Sequence, residues 1–253
     1  MKTSFDNDLK TSFDLHVDCP VCGSICNDPP LYSYSVVEAA SHFCPITRNP
    51  DRHHRLIDSI RKLWQQDECT ILSCRECGFA FAYPFVGGDE EYYSILHEQH
   101  GYPSWRWDYD VAIEQIIEPY GKGNILDVGA GTGIFLNSLG AEWELFGIEA
   151  SNTIKQKLEK AGIHVFEDLL TASLSLENTF DVITLFQVLE HISEFRQVIE
   201  RCHRLLRPGG SLIITVPNGE VLIRQEQLTG CPDMPPNHVN KWTPDSLFRV
   251  LKD

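Results

Sequence analysis

The sequence predicts an α/β protein built around a parallel sheet, with a small cysteine-rich module at its N-terminus. From about residue 108 onward, aliphatic runs alternate with amphipathic helical segments, an order that implies parallel strands joined by right-handed crossovers. One aliphatic run, 125–128, leads into three glycines at alternate positions, as expected where a strand turns sharply into a ligand loop. Seven of the nine cysteines lie in the first hundred residues. We therefore predict two domains, residues 1–100 and residues 101–253.

The composition is that of an ordinary globular chain. Its 253 residues are 42% apolar, enough for a core, and no run approaches the roughly 18 apolar residues that span a membrane. The first eight residues lack the apolar centre of a signal peptide, so we expect a cytoplasmic protein without a membrane partner. A net charge of -15 argues against a nucleic-acid partner, because phosphate binding relies on clustered Lys and Arg. Arg48, Arg52 and Arg55 are interpreted as a solvated helix face.

The cysteines near the N-terminus form two C-x2-C-G motifs, separated by 51 residues (74 - 22 - 1). In each motif the glycine lets backbone N–H groups turn toward sulfur, and four thiolates can surround Zn²⁺ in a tetrahedron. Either pair alone is also compatible with buried cysteines or a redox pair. Two matching motifs favour a zinc-ribbon-like module with Zn²⁺ as its metal. The predicted ligands are Cys19, Cys22, Cys74 and Cys77.

The long gap between the motifs predicts a helical insertion. Helical patterning covers 36–40 and 56–64, and alternating aromatic and small residues over 79–84 predict a strand that leaves the second motif. The aromatic residues that follow are interpreted as packing between the two domains, and the alternative is a binding role at a ligand pocket; they are Tyr92, Tyr93 and Trp105. The cysteines without a motif partner are interpreted as buried thiols; they are Cys26, Cys44 and Cys69.

The sequence of the second domain predicts five strands with intervening helices. The first helix covers 111–117 and ends near Pro119 and Gly121. The predicted strands are 124–128, 144–149, 163–166, 181–186 and 211–216. The other predicted helices are 132–139, a segment closed by Gly162, 195–206, and one that begins near Pro244.

The glycine loop after the first strand differs from the dinucleotide fingerprint. Gly129, Gly131 and Gly133 alternate, whereas G-x-G-x-x-G requires a different spacing. Glu149 ends the second strand, 22 residues after Asp127 (149 - 127), where a ribose-binding carboxylate lies in a β-α-β nucleoside site.

The sequence Asp127-x-Gly-x-Gly-x-Gly resembles motif I of the class I S-adenosylmethionine-dependent methyltransferases. Three further landmarks fit that family in order: Glu149, the pair Glu190-His191 after the fourth strand, and Pro208-Gly209-Gly210 before the fifth. The resemblance implies the Rossmann-like class I methyltransferase fold. It also implies a C-terminally incomplete domain, because the family sheet has two more strands after the helix near Pro244.

The resemblance implies how S-adenosylmethionine is bound. The loop backbone would hold the methionine portion, Asp127 would fix the loop, and Glu149 would accept both ribose hydroxyls. Asp168 would contact adenine, with Glu167 as a competing acid; an equally favoured alternative is that Asp168 caps a helix. The implied cofactor-binding residues are Asp127, Gly129, Ala130, Gly131, Thr132, Gly133, Glu149, Ala150, Asp168, Leu169, Phe186 and Gln187.

Two histidines are candidates for the acceptor side of the reaction. His191 is a candidate base, although a structural role at the end of the sheet is the alternative. His238, in the loop after the fifth strand, is the better candidate for substrate contact. We expect methyl transfer to a small-molecule acceptor, such as a sugar or another metabolite. The alternatives are a binding or regulatory protein with an idle methyltransferase-like domain, and an enzyme acting on a macromolecule.

Overall fold

A computed structural model describes residues 16–98, 105–173, 176–230 and 232–252. Within these residues the chain forms a five-stranded sheet, a four-stranded sheet and a two-stranded hairpin. The predicted domain boundary between residues 100 and 101 lies outside the described residues, and the division into two domains stays a prediction.

The N-terminal part is an antiparallel sheet that carries three helices. Helix α1 begins with a capping box between Ser35 and Glu38, and α2 begins with Asn49 as its N-cap and Pro50 in its first turn. The predicted helical insertion between the cysteine motifs is therefore confirmed. The elements are β1 (Val17–Asp18), β2 (Ile25–Cys26), β3 (Tyr32–Ser35), α1 (Val36–Phe43), α2 (Pro50–Trp64), β4 (Glu68–Ser73), β5 (Ala80–Tyr83) and α3 (Glu90–Leu96).

The five-stranded sheet is parallel throughout, as predicted. Its order is β10-β9-β6-β7-β8, so the strand before the glycine loop lies at the centre. Every residue of β9 is buried, which explains why this strand reads as a nearly continuous apolar run. The strands are β6 (Gly123–Val128), β7 (Trp143–Ile148), β8 (His164–Phe166), β9 (Phe180–Phe186) and β10 (Leu206–Thr215).

The helices of this part connect the parallel strands or follow them. The first continues through a π-helical turn, Ile113–Ile117, and ends before Gly121, as predicted. Within the described residues, the helices are too short or too polar to cross a membrane. The elements are α4 (Trp107–Ala112), α5 (Glu118–Tyr120), α6 (Asn152–Lys160), α7 (Leu169–Ser173), α8 (Phe195–Leu205), α9 (Gly219–Thr229), β11 (Asn240–Lys241) and α10 (Pro244–Lys252).

The helix predicted over 132–139 is wrong. Only a short 3-10 turn forms there, at Leu136–Ser138. Gly131 and Gly133 have φ values of 51° and 73°, in the left-handed region, so a right-handed helix cannot run through them. The helical turn therefore begins only at Leu136, after these glycines.

Residues near the C-terminus complete the N-terminal sheet, which the sequence did not predict. Strand β11 pairs antiparallel with β5, and the next residue, Trp242, packs against Phe79 with 4.6 Å between ring centroids. Trp242 also meets Phe195 of α8 at 4.9 Å. One apolar cluster consequently includes side chains from both sheets.

The three arginines interpreted as a solvated helix face differ in their surroundings. Arg52 is fully buried and donates to the carbonyl oxygens of Ile95 and Leu96 at 2.9 and 2.6 Å. Arg55 is partly exposed and pairs with Asp51 and Glu98. The interpretation is wrong for Arg52, because the end of α3 supplies acceptors that a helical wheel cannot reveal.

Candidate active site

The glycine loop, residues 129–133, follows β6 at the carboxyl edge of the sheet. The N–H groups of Gly129 and Ala130 both donate to the carbonyl oxygen of Ile148, at 3.0 Å, which ties the loop to β7. Gly129 and Gly133 both have positive φ, and a Cβ on Gly133 would lie 2.5 Å from Leu158. A side chain at Gly133 would thus be strained by the backbone conformation and would require Leu158 to move.

Glu149 lies directly beside this loop. Its Oε2 accepts from the N–H of Gly131 at 3.1 Å, and its Oε1 accepts from the N–H of Ser151 at 2.8 Å. The two predicted elements of the nucleoside site, the loop and the acid, therefore meet at one place. An ionised carboxylate has about four lone-pair positions, so two remain for hydroxyl groups of a ligand.

Asp127 is the acid at the base of the loop, and it is buried in the sheet. Its Oδ1 accepts from the hydroxyl of Thr184 on β9 at 2.7 Å. Burial raises the pKa of Asp127 to about 7, although the hydrogen bond from Thr184 opposes this change. Asp127 thus joins β6 to β9 below the loop, and its role of fixing the loop stays a prediction.

Replacing Asp127 by asparagine is expected to change how stability depends on pH. Because the folded-state pKa is raised, the folded protein holds a proton that the unfolded chain releases between pH 4 and 7. The free energy of unfolding of the wild type should therefore fall relative to Asp127→Asn as pH rises through this window. The difference should amount to at most about 4 kcal/mol and stay constant above pH 8. Urea unfolding between pH 4 and 8 measures it.

Asp168→Asn is the control for this experiment, because the pKa of Asp168 is shifted in the opposite direction to that of Asp127. The backbone N–H of Thr171 lowers the pKa of Asp168, so its contribution to stability is lost as pH falls below about 4. The difference in free energy of unfolding between wild type and Asp127→Asn should change between pH 4 and 7. A constant difference would contradict a raised pKa of the buried Asp127 carboxyl group.

The adenine side of the predicted site is formed by the end of β8 and the start of α7. Asp168 Oδ1 accepts from the N–H of Thr171 at 2.7 Å, which is the contact of a helix N-cap. Leu169 is only 6% exposed and belongs to the large apolar cluster. The N-cap alternative is therefore observed, and the contact of Asp168 and Leu169 with adenine stays a prediction.

The end of β9 brings an aromatic side chain and an unusual backbone to the loop. The Phe186 ring lies 4.8 Å from that of Tyr109 and 4.7 Å from that of Phe135. Gln187 has φ of 57°, although it is not a glycine, and its N–H donates to Thr215 at 2.9 Å. Such a conformation costs about 1–3 kcal/mol and is concentrated at functional sites. That Phe186 and Gln187 line the cofactor site stays a prediction.

His191 follows β9 and is held by its Nδ1 atom. Nδ1 lies 2.8 Å from the carbonyl oxygen of Asn237 and 3.2 Å from the hydroxyl of Tyr93. A carbonyl oxygen only accepts, so Nδ1 carries the hydrogen and Nε2 keeps its lone pair. Burial lowers the pKa of His191 to about 4, and the ring is neutral at pH 7.

His238 lies against His191, with 4.6 Å between the ring centroids. Its Nδ1 is 2.6 Å from Asp233 Oδ1, and Asp233 in turn pairs with the buried Lys241 at 3.0 Å. The structure thus brings together two candidate residues that are 47 positions apart (238 - 191). Their catalytic role stays a prediction.

Several neighbours of these candidates were missed by sequence analysis. Thr184 faces Asp127 from the next strand, and Asp233 orients His238. Thr184 has no sequence signal, since it is 57 residues from Asp127 along the chain. Asp233 is only five residues before His238, in a loop without a periodic pattern that could predict the contact. Tyr93 was noted only as one of several aromatic residues, and it contacts His191.

The four motif cysteines form one cluster, called here the cysteine cluster. The Sγ atoms of Cys19 and Cys77 are 3.6 Å apart, those of Cys22 and Cys74 are 3.5 Å apart, and all four lie within 4.8 Å of one another. Zinc–sulfur bonds of about 2.3 Å in a tetrahedron place sulfur atoms about 3.8 Å apart. The cluster therefore has the dimensions of a zinc site.

The backbone of the two motifs repeats the same turn around the cluster. Gly23 N–H donates to Cys19 and Gly78 N–H donates to Cys74, at 2.8 and 2.9 Å, and both glycines have positive φ. The interpretation of the unmatched cysteines as buried thiols is confirmed; they are Cys26, Cys44 and Cys69.

The sheet order, the glycine loop and the adjacent Glu149 define a Rossmann-like α/β domain of the class I methyltransferase type. The comparison with known families agrees: a family described as methyltransferase domain matches residues 95–253, more than half of the chain. The chain belongs to this family.

Similar curated proteins cover a smaller part of the chain. The ubiquinone biosynthesis O-methyltransferase of Vibrio cholerae is 32% identical over 113 residues, which are 40% of this chain and 44% of that protein. The mitochondrial enzyme of the same name from Rattus norvegicus is 29% identical over 161 residues, 53% of this chain and 44% of that protein. The chain thus spans less than half the length of these relatives.

The similar solved structures have lower sequence identity to this chain. An S-adenosylmethionine-dependent methyltransferase from Archaeoglobus fulgidus is 20% identical, with 64% of this chain and 72% of that chain covered and a TM-score of 0.47. A possible histamine N-methyltransferase from Thermotoga maritima is 21% identical, with 58% and 70% covered and a TM-score of 0.46.

Proposed function

We propose that this protein transfers a methyl group from S-adenosylmethionine to a small-molecule acceptor. The observation that supports this most directly is the hydrogen bond between Gly131 N–H and Glu149, because it joins the two halves of a nucleoside site. Membership of the methyltransferase-domain family supports the same reaction.

The residues of the site have separable tasks in this proposal. When bound, the cofactor supplies an activated methyl group on sulfur, so the protein's main task is positioning. The exposed backbone of the glycine loop would bind the methionine portion, and Glu149 would accept hydrogen bonds from the ribose hydroxyls. Two backbone N–H groups already orient that carboxylate, at Gly131 and Ser151, which lowers the entropy cost of binding.

For the acceptor we propose a hydroxyl group of a metabolite, with sugars included among the candidates. The curated relatives support an oxygen acceptor, since both are named as O-methyltransferases. Tyr93, His191 and His238 lie beyond the carboxyl end of β9, where ligands of open α/β sheets bind. We assign these three side chains to the acceptor side of the site.

We further propose that the cysteine cluster holds one structural Zn²⁺ ion. Four thiolates complete a tetrahedron and leave no open position for a substrate, which distinguishes a structural from a catalytic zinc site. The ion would fasten the β1–β2 hairpin to the turn between β4 and β5.

Transfer of a labelled methyl group tests the proposed reaction. The full chain is incubated with S-adenosylmethionine labelled on the methyl group and with a metabolite extract, and the products are separated by size. We expect label in the small-molecule fraction, and far less label with Glu149→Ala at the same low concentration of cofactor. Label in protein or RNA would instead support a macromolecular acceptor. Binding of the cofactor without label in any fraction would support an idle domain.

A further inference from the structure

We propose that Glu190, His191 and His238 form a second metal site, for one divalent transition-metal ion such as Zn²⁺ or Fe²⁺. One ligand atom from each residue lies within 4.8 Å of the others. We call these three residues the histidine site. The proposal is independent of methyl transfer, because it rests only on the arrangement of these side chains.

The carboxylate of Glu190 is the strongest observation for a bound cation. Glu190 is 1% exposed, and within the described part of the chain neither Oε1 nor Oε2 has a hydrogen-bond partner. A buried carboxylate without partners is costly, and buried charges in proteins are paired or coordinate metals. Its backbone is fixed, because the N–H of Val239 donates to the Glu190 carbonyl oxygen at 2.8 Å. The group is thus held in place for a partner from outside the protein.

Both histidine rings are held in place through their Nδ1 atoms. Nδ1 of His191 donates to the carbonyl oxygen of Asn237 at 2.8 Å, and Nδ1 of His238 lies 2.6 Å from the Asp233 carboxylate. In a neutral ring held through Nδ1–H in this way, Nε2 keeps its lone pair. Metal-binding histidines almost always donate their second ring N–H to a carbonyl oxygen or a carboxylate, which fixes the ring and raises the basicity of the ligand. The chain therefore supplies the outer shell of a metal site as well as its ligands.

The segments that carry the ligands are fastened to each other by the backbone. The amide group of Asn240 donates to the carbonyl oxygens of Leu189 and Ile192, both at 2.7 Å, and so brackets the Glu190-His191 turn. Ligand atoms at about 2.0–2.2 Å from an ion lie roughly 3–4 Å from one another. The three ligand atoms lie within 4.8 Å of one another.

The ligand types select the kind of ion. Two imidazoles and one carboxylate suit Zn²⁺ or Fe²⁺, whereas Mg²⁺ and Ca²⁺ prefer oxygen ligands. Three protein ligands leave at least one coordination position for water or for an oxygen of a small molecule. The site lies close to the glycine loop, since a Cβ on Gly129 would be 3.0 Å from Val188, two residues before Glu190. A hydroxyl group bound at the open position would be close to the candidate cofactor site.

Titration with Co²⁺ tests the histidine site. The full chain is treated with EDTA to empty weak sites, its zinc content is measured, and Co²⁺ alone is added in a calorimeter. We expect one equivalent to bind, with visible absorption but without the thiolate-to-cobalt band that the cysteine cluster would give. Glu190→Gln and His238→Gln should each weaken Co²⁺ binding at least about 100-fold. Asp233→Asn, which changes only the outer shell, should weaken it about 10–100-fold.

His203→Gln is the matched control, because His203 is an exposed histidine on α8. It should bind Co²⁺ within threefold of the wild type. His238 is 21% exposed and Glu190 is buried, so His238→Gln tests the site even if Glu190→Gln does not fold. The proposal is overturned if Co²⁺ does not bind to the wild type, or if folded His238→Gln binds it as well as His203→Gln. S-adenosylmethionine affinity, measured separately, tests the proposed function and not this metal site.

Discussion

Replacing Glu149 by alanine is expected to lower the affinity for S-adenosylmethionine roughly 100-fold. The variant removes a carboxylate that would accept two ribose hydroxyl groups, and a hydrogen bond to a charged acceptor contributes about 1.5–3 kcal/mol. Two such bonds at the lower end of this range give about 3 kcal/mol, or about two orders of magnitude in affinity. Calorimetric titration of the folded variant measures the change.

Two further variants separate ribose binding from support of the loop. Glu149→Gln keeps an oxygen acceptor for Gly131 N–H but loses the charge, and it should weaken binding about tenfold. Glu144→Gln changes an exposed acid at the opposite end of the same strand and should leave the affinity unchanged. An affinity of Glu149→Ala within threefold of the wild type would show that the nucleoside does not bind at this carboxylate.

Replacing Cys74 by serine is expected to release zinc from the cysteine cluster and to destabilise both sheets. Structural zinc contributes its binding energy to folding, and losses of more than about 4 kcal/mol are typical when a metal is removed. For a chain of this size such a loss lowers the Tm by roughly 8–16 °C. The effect should reach the C-terminal half, because Trp242 packs on Phe79 and β11 pairs with β5. Elemental analysis and hydrogen exchange measure the two effects.

Cys69→Ala is the matched control for Cys74→Ser. Cys69 is a buried free thiol on β4, the strand that leads to Cys74, and it lies outside the cysteine cluster. Its replacement should keep the full zinc content and lower the Tm by only a few degrees. If Cys74→Ser keeps its zinc, Cys74 is not a zinc ligand. If hydrogen exchange increases only before residue 100, the apolar cluster that includes both sheets does not couple the N-terminal and C-terminal parts of the chain.

The sequence predicts features that depend on neighbouring residues. The strands around 125–128 and 181–186 are mostly apolar runs, and buried parallel strands require such runs. The cysteine motifs and the glycine loop are likewise local, since each needs a fixed turn within a few residues. These elements, and the meeting of Gly131 with Glu149, therefore follow from the sequence and the order of the sheet.

The features that the sequence does not predict depend on contacts between distant residues. Strand β11 has two residues, too few for a periodicity, and its pairing with β5 is set by tertiary packing. Arg52 is buried because the end of α3 supplies two carbonyl groups. His191 and His238 meet because Asn240 fastens their segments together. In each case the partner, and not the residue type, determines the result.

The pairing of β11 with β5 has a consequence for synthesis on the ribosome. The edge of the N-terminal sheet is completed only when residue 240 has left the exit tunnel, 157 positions after Tyr83 (240 - 83). At about 5–20 residues per second, the nascent chain waits roughly 8–30 s with this strand edge open. Pulse proteolysis of stalled nascent chains should therefore show protection of the β4–β5 hairpin only in chains long enough for Trp242 to have left the exit tunnel.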